Sequence, residues 1–192
     1  MLKQTAGCYT ASHLLKHCPS VHIDLLDRLP IPFGLVRLGV APDHPEVKNV
    51  IHKFESVLSH PNVRFLGNVG LGNVSLSDLR QCYHAIVLAY GASKDRKLGI
   101  PGESQGSISS SDFVGWYNGH PSCVSLKPDL SAKSAIVIGH GNVALDIARM
   151  LLSPISLLHH TDMTQYALES LRKSNINRVH LVGRRGPLQV CL

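Results

Sequence analysis

Two short stretches of this chain hold residue types whose spacing could bind a phosphorylated ligand. The first is Gly139-His140-Gly141-Asn142-Val143-Ala144, a G-x-G-x-x-A series that follows the apolar run "AIVI" and leads into "LDIARMLL". In such a series the first glycine permits a sharp turn out of a strand and the second leaves room for a pyrophosphate beside the backbone. The small last residue lets helix and strand pack closely. The head of the helix then offers unpaired N–H groups and a partial positive charge. A strand before and a helix after separate this motif from a chance run of glycines; a purely structural turn is the alternative. The second stretch is Arg184-Arg185, just past the apolar run "RVHLV". An acid at the end of a second strand suits the ribose of NAD, whereas guanidinium groups there pair with the 2′-phosphate of NADP. Two solvated arginines on a turn are the plainer reading of that pair. Together the two stretches predict an NADP site.

The elements that must position these residues follow from periodicity and caps. "SAIVI" reads as a strand, Val143–Leu152 as a helix, "TDMTQYALESLRKSN" as a helix capped by Thr161 or Asp162, and "RVHLVG" as a second strand. Nearer the start, Ala6–His17 reads as a helix with Tyr9, Leu14 and Leu15 as core contacts, and "VHIDLLD" as a strand. "RLPIPFGLVRLGVAPDHPEVKNV" carries four prolines and two glycines and reads as a loop, giving way to a helix from Pro45 to Ser59. "VRFLGN" and "VGLG" read as short strands. "SLSDLRQCY" reads as a helix capped by Ser75 or Ser77, whose hydroxyls can accept from orphan N–H groups. "HAIVLAYGA", apolar and ending at Gly91, has the pattern of a buried parallel strand. "SKDRKLGIPGESQGSISSSD" is polar and turn-rich, the texture of a domain crossing. The expected fold is α/β, with two Rossmann-like nucleotide-binding units, parallel sheets and flanking helices, divided as residues 1–95 and 96–192.

The opening "MLKQTAGCYTASHLLKH" places Ala6-Gly7 at a helix start with no strand before it. That is the rear half of a nucleotide-binding turn. Asp27, at the end of the next strand, stands where a ribose-binding acid would stand; opening a turn is its plainer role. "MLKQT" is too short and too polar to supply a strand and first glycines, so a site here would lack much of its phosphate cradle.

Composition bounds the partners. The 192 residues carry a formal net charge of +6 and twelve histidines, a balance that favours phosphorylated cofactors, acidic proteins, nucleic acid or anionic lipid. Nucleic acid is disfavoured, because the basic residues are scattered and no aromatic platform accompanies them. Five cysteines without a C-x-x-C pair argue against a disulfide framework or a zinc site and fit a reducing compartment. No apolar run is long enough for a membrane span. The first residues are neither a secretory signal nor an Arg-rich transit peptide.

"IPFGLVRLGVAPDHPEVKNV", "FVGWYNGHP", "GHGNVALDIARMLL" and "LVGRRGPLQV" together resemble the adrenodoxin reductase family, the mitochondrial ferredoxin–NADP reductases, from Ala6 to Val190. The small subunit of glutamate synthase shares the double nucleotide-binding plan, but "PFGLVRLGVAPDHPEVKN" points to the reductase branch. The resemblance implies an FAD domain interrupted by an NADP domain. It further implies FAD and NADP as cofactors, NADPH as electron source, and an acidic [2Fe-2S] ferredoxin (adrenodoxin) as acceptor. The implied location is the mitochondrial matrix, at the periphery of the inner membrane.

Residue by residue, the resemblance places Ala6 and Gly7 at the end of the FAD glycine turn and Asp27 where the family has a Glu on the ribose. Leu35 and Leu71 fall on positions that line FAD. His140, Gly141, Asn142 and Val143 fall on the NADP phosphates, with His140 in place of a Gln, a change of little consequence where the backbone does the binding. Arg184 and Arg185 fall on the 2′-phosphate. A polar pair of His44 and Asp146 near the flavin is also implied, against an ordinary loop histidine and a helix-surface carboxylate. No catalytic residue and no metal ligand is assigned.

The family's first strand, its first two turn glycines and everything after "GRRGPLQV" have no counterpart in this sequence. The resemblance therefore implies a chain truncated at both ends: part of an FAD domain over 1–95 and the N-terminal part of an NADP domain over 96–192. The basic surface that docks ferredoxin lies largely in the missing part. The expectation is NADPH:ferredoxin oxidoreductase activity in a longer form and an inactive isolated chain. The alternatives are a non-catalytic product with at most weak NADP binding, and a plain NADP-binding regulatory module.

Overall fold

The computed structural model describes residues 5–92, 95, 97–103, 105–184 and 186. The chain forms two compact units: Met1–Arg37 with Glu46–Lys94, and Leu38–Pro45 with Asp95–Leu192. The segment Leu38–Pro45 thus packs with the second unit, although first-unit sequence flanks it on both sides.

In the first unit, α1 (Thr5–His17) leads to β1 (Ile23–Leu26), α2 (Gly34–Gly39), α3 (Pro45–Lys48), α4 (Val50–Leu58), β2 (Val63–Leu66) and α5 (Leu76–Cys82). β1 and β2 pair in parallel, with Ile23 opposite Val63 and Asp24 opposite Arg64. The stripe that α1 buries is Thr5, Cys8 and Ala11. Leu14 and Leu15 are only half-buried. Tyr9 is 45% exposed, its ring edge-on to Phe54 at 5.0 Å. Small residues let α1 lie close to its neighbours where larger ones were expected. The core is Cys8, Phe33, Val36 and Phe54, with Val50, Ile51 and Leu58 against it.

Several expected elements differ. The proline-rich stretch contains a helix, α2, because Pro30 and Pro32 lie ahead of it and remove no bond from it. The helix expected over Pro45–Ser59 loosens at Asn49, where Asn49 N–H to Glu46 O and His52 N–H to Asn49 O, both 3.2 Å, close tighter turns. "VGLG" is a turn, closed by Asn73 N–H on Gly70 O at 2.8 Å. Ser75 caps α5, accepting from Asp78 N–H in a reciprocal capping box. Residues 85–90 form no ladder among the described residues, and Val87, Leu88 and Tyr90 are 61, 53 and 65% exposed. Apolar composition suits that segment to a sheet interior, but no described strand flanks it.

In the second unit, α6 (Ser110–Asn118) and a 3-10 turn (Pro121–Cys123) precede β3 (Ser134–Ile138), α7 (Asn142–Leu152), α8 (Ile155–Leu158), α9 (Gln165–Arg172) and β4 (Arg178–Val182). Residues 113–118 of α6 are all buried, so this helix forms the centre of the unit. Gly115 permits it: a Cβ there would meet Cys123 Sγ at 2.8 Å. Gly119, at φ +80°, ends the helix. Met150, Ile147 and Leu151 of α7 and Ala167, Leu168 and Leu171 of α9 pack around Phe113, Trp116 and Tyr117. β3 and β4 pair in parallel, Ser134 opposite Arg178 through Ile138 opposite Val182. Only one face of this pair is covered: Ala135, Val137 and Val179 meet the core, while Ile136, Ile138 and Val182 are 69, 57 and 51% exposed. The expected cap of α9 also differs. Thr164 precedes it without a side-chain cap, while Thr161 serves the end of α8, its hydroxyl donating to Leu158 O at 2.6 Å.

Candidate functional site

The G-x-G-x-x-A series occupies the turn from β3 into α7. Because Ile138 pairs with Val182, and Gly139 N–H donates to Val182 O at 2.8 Å, the strands release Gly139 and Gly183 side by side. Gly139 has φ +134°, a region that strains any residue with a Cβ. Ala144, buried one turn into α7, lies 3.9 Å from where that Cβ would be.

Gly141 is different. It stands as N-cap with φ −82° and ψ 179°, ordinary extended backbone, and a Cβ there would meet nothing within 4 Å. Neither conformation nor packing asks for glycine at this place. What glycine supplies is bare space in front of the first N–H groups of α7, those of Asn142 and Val143, which have no carbonyl one turn behind them. This is a cradle that a side chain would begin to fill.

The His140 side chain packs against the turn that follows β4. A Cβ on Gly183 would fall 2.4 Å from His140 Cδ2 and 2.6 Å from Cγ, so the imidazole lies directly on Gly183. The ring ties the turn after β3 to the turn after β4. Arg184 follows at once, exposed, at the same carboxyl edge as the α7 turn. Arg185 lies outside the described residues.

In the first unit, Asp27 directly follows β1. Its N–H donates to Leu66 O at 3.0 Å and its carbonyl accepts from Val69 N–H at 2.9 Å. Its carboxylate accepts from Leu29 N–H at 2.7 Å, so Asp27 opens a turn as well as standing at the strand's carboxyl edge. Burial, and then the charge of Asp27, pushes the Cys8 thiol up to about 11. Gly7 lies close to two other residues of this unit, a Cβ there meeting Leu25 at 3.9 Å and Ala89 at 3.8 Å. Ala6 is exposed at the head of α1. Phe33 adopts φ +67° with its ring buried, a strained start for α2 that places Leu35 half-buried on it. Leu71, 54% exposed, sits in the turn that follows Val69, at the same edge as Asp27. A recess of about 280 Å³ elsewhere in this unit is lined by Leu76, Arg80, Tyr83, His84, Ile86 and Leu88, none of them singled out by the sequence.

His44 and Asp146 belong to one network, and Arg149 joins them. Arg149 Nη2 lies 2.9 Å from His44 Nε2 and donates to Asp146 Oδ1 at 2.8 Å. Its Nε and Nη2 also grip both oxygens of Asp43, at 2.7 and 2.9 Å. The hydrogen bonds from Arg149 hold the Asp43 carboxyl below the usual range. Sequence reasoning missed Arg149 and Asp43. The Asp146/Arg149 spacing on one helix face is a signal for their ion pair, but nothing local points from α7 to Asp43. Among the described residues no group of three or more His, Cys, Asp or Glu could hold a metal, and no described helix is long and apolar enough to cross a membrane.

No family model matches the chain. It is 56% identical over 187 residues to the mitochondrial NADPH:adrenodoxin oxidoreductase of Salvelinus fontinalis, covering 96% of this chain and 38% of that protein. The protein of the same name from Homo sapiens is also 56% identical, with the same shares covered. Among solved structures, Mycobacterium tuberculosis FprA in complex with NADPH superposes with a TM-score of 0.93 at 48% identity, covering 98% of this chain and 43% of that one. A second FprA structure, described by a covalent modification of NADP+, gives 0.94 at 48% identity over the same shares. The chain thus spans about two-fifths of the length of the proteins it matches.

Proposed function

We propose, from the premise that this chain is a homologue of the adrenodoxin reductases over 96% of its length, that it supplies nucleotide-binding parts of an NADPH:adrenodoxin oxidoreductase. The observation that carries the reading is Gly141: a glycine that neither φ nor packing requires, fronting the head of an eleven-residue helix. Residues 96–192 are read as the N-terminal part of an NADP domain. In it the N–H groups of Asn142 and Val143 take the pyrophosphate across Gly141, His140 steadies the turn on Gly183, and Arg184 and Arg185 take the 2′-phosphate. Residues 1–95 are read as part of an FAD domain, with Ala6 at the head of α1 near the phosphates, Asp27 on a ribose, and Leu35 and Leu71 along the ligand. Held by these residues, FAD would supply two-electron hydride uptake from NADPH and one-electron delivery to a ferredoxin such as adrenodoxin. The relatives' names carry "mitochondrial", which supports that compartment; a place at the inner membrane's matrix face completes the reading.

Arg184→Ala tests the phosphate assignment. The loss of a charge-assisted hydrogen bond of ~1.5–3 kcal/mol corresponds to roughly ten- to hundredfold weaker NADPH binding, with NADH binding unchanged in a fluorescence titration. Equal losses for both nucleotides, or none, would sink the assignment.

One observation favours a second reading for the 192-residue chain alone. Residues 85–90 and the outer face of β3 and β4 are apolar and bare, so each sheet is incomplete as it stands. On this reading the isolated chain binds NADPH weakly, retains no flavin and transfers no electrons. A colourless protein after gel filtration is the expected result, and flavin absorbance co-eluting with the chain would reject it.

A further inference from the structure

We propose that His13 and His17 form a surface chelate for one late first-row divalent cation, of the Ni²⁺ or Cu²⁺ class, on the last turns of α1. The stretch His13-Leu14-Leu15-Lys16-His17 sets two imidazoles at i and i+4, neighbours on one helix face. The same spacing on a helix holds zinc in metalloproteases. Both residues are exposed. Their ring centres stand 4.3 Å apart, with the planes at 43°.

The ring separation selects the kind of ion. With each nitrogen ~2.0–2.1 Å from a metal, right-angled coordination sets ring centres roughly 4.5 Å apart and tetrahedral coordination roughly 5.2 Å. The observed 4.3 Å matches the right-angled case, which tetragonal Ni²⁺ and Cu²⁺ sites adopt and structural zinc does not. Imidazole suits both ions. Among the described residues neither imidazole makes a hydrogen bond or ion pair with protein, so a nitrogen of each ring is open to a ligand. Cys18 N–H closes the helix on Leu14 O at 2.8 Å. Both rings therefore stand on regular helical backbone, near the carbonyl end whose partial negative charge favours a cation. Among the described residues no third His, Cys, Asp or Glu completes a metal group. Water takes the remaining positions, which makes this an open chelate rather than a closed structural centre.

Only the folded helix brings the two rings together, so the cation binds the native chain and stabilises it by mass action. α1 packs on Phe54 through Tyr9, and the gain falls on the first unit. At a rise of ~1.5 Å per residue, His13 stands roughly 10 Å along α1 from Ala6. The chelate is thus separate from the residues read as nucleotide-binding, and the two ideas fail separately.

Calorimetric titration of the whole, untagged chain with nickel chloride tests it, since nickel spares the thiols the oxidation that copper would bring. One strong site per chain is expected. His13→Ala and His17→Ala should each weaken it ~tenfold or more, the loss of one arm of a two-point grip. His52→Ala, at an exposed histidine of α4, and Cys18→Ser should leave it as it was. Saturating Ni²⁺ should also raise the urea midpoint read by circular dichroism in the unsubstituted chain and leave that of His13→Ala where it was. The absence of a strong site overturns the proposal. So does a loss in one of the two histidine variants only, a loss as large in Cys18→Ser, or tighter binding of Zn²⁺ than of Ni²⁺.

Discussion

Both units of this chain are built on a parallel strand pair with helices against it, and they differ in what holds the pair down. In the second unit thirteen buried residues form one cluster around Trp116 and Tyr117, most of them on helices. The strands contribute Ala135, Val137 and Val179 to its margin. In the first unit the corresponding cluster has four buried members. There the strand pair is joined across its register by charge: Arg64 grips both oxygens of Asp24 at 2.8 and 2.7 Å, and Tyr83 donates to the same carboxylate at 2.6 Å. A helical core tolerates a half-bare sheet, whereas a sheet tied by a few aromatics and an ion pair has little in reserve. The second unit should therefore outlast the first under denaturant and acid.

Large-to-small substitutions separate the two most widely. Phe54→Ala removes one of the two phenyl rings of the smaller core and should cost ~3–5 kcal/mol, a large share of the stability of a small domain. Trp116 is the chain's single tryptophan and lies 2% exposed in the second unit, so its fluorescence reports that unit alone. Phe54→Ala should bring part of the helical circular dichroism down at low urea while the fluorescence midpoint stays put. Met150→Ala, worth ~2–5 kcal/mol, should do the reverse. If both probes move together in either variant, the units unfold as one and the contrast is wrong.

Acid sharpens the comparison next. The hydrogen bonds from Arg64 lead the effects that lower the Asp24 carboxyl from its ordinary value. A group whose folded pKa is depressed contributes stability that is present above its unfolded value and lost as pH falls through the folded one. The first unit should therefore weaken as pH drops below the ordinary carboxylate range. Asp24→Asn should lower its stability at neutral pH and flatten that acid limb. Asp43, lowered by Arg149, gives the second unit an acid limb of the same sign, but on a larger core. Urea midpoints followed by circular dichroism and by Trp116 fluorescence across the acid range measure both. An Asp24→Asn chain with an undiminished acid limb would remove the ion pair from the account.

The same contrast explains what could be read from the sequence. The G-x-G-x-x-A turn and α7 were legible because each depends on neighbours a few residues away: a glycine with φ +134°, a small Ala144, an apolar stripe on α7. The sheet assignment of "HAIVLAYGA" was not, because apolar residues show what a segment favours, and pairing depends on strands far off in the chain. α2 was hidden by prolines that precede it without entering it. Tyr9 was expected inside on hydrophobicity, yet close packing of α1 chose Cys8 and Ala11. Asp27 had two sequence readings, and the structure gives it the turn-opening bond while leaving it at the strand's edge. Arg149 was legible only as the i, i+3 partner of Asp146 on α7. Its partners Asp43 and His44 come from the segment that the second unit draws out of first-unit sequence, and no local spacing encodes that.

The smallest expected change in stability belongs to Gly141→Ala, and it bears most directly on function. The added methyl meets no protein atom within 4 Å, and φ −82° suits alanine as well as glycine. Because Gly141 is the N-cap of α7, where alanine caps less well than glycine, stability should fall by no more than ~1 kcal/mol. If the space is a phosphate cradle, the methyl stands where the pyrophosphate must approach Asn142 and Val143 N–H, and NADPH affinity should fall roughly tenfold or more, the equivalent of ~1.4 kcal/mol. Gly139→Ala makes the control. Its backbone conformation is strained by any Cβ at a cost of order 1–3 kcal/mol, so it should lose stability and binding together. A Gly141→Ala chain that keeps both its melting behaviour and its NADPH affinity would leave this glycine with no role, and the second unit would then be a stable fold without the site read into it.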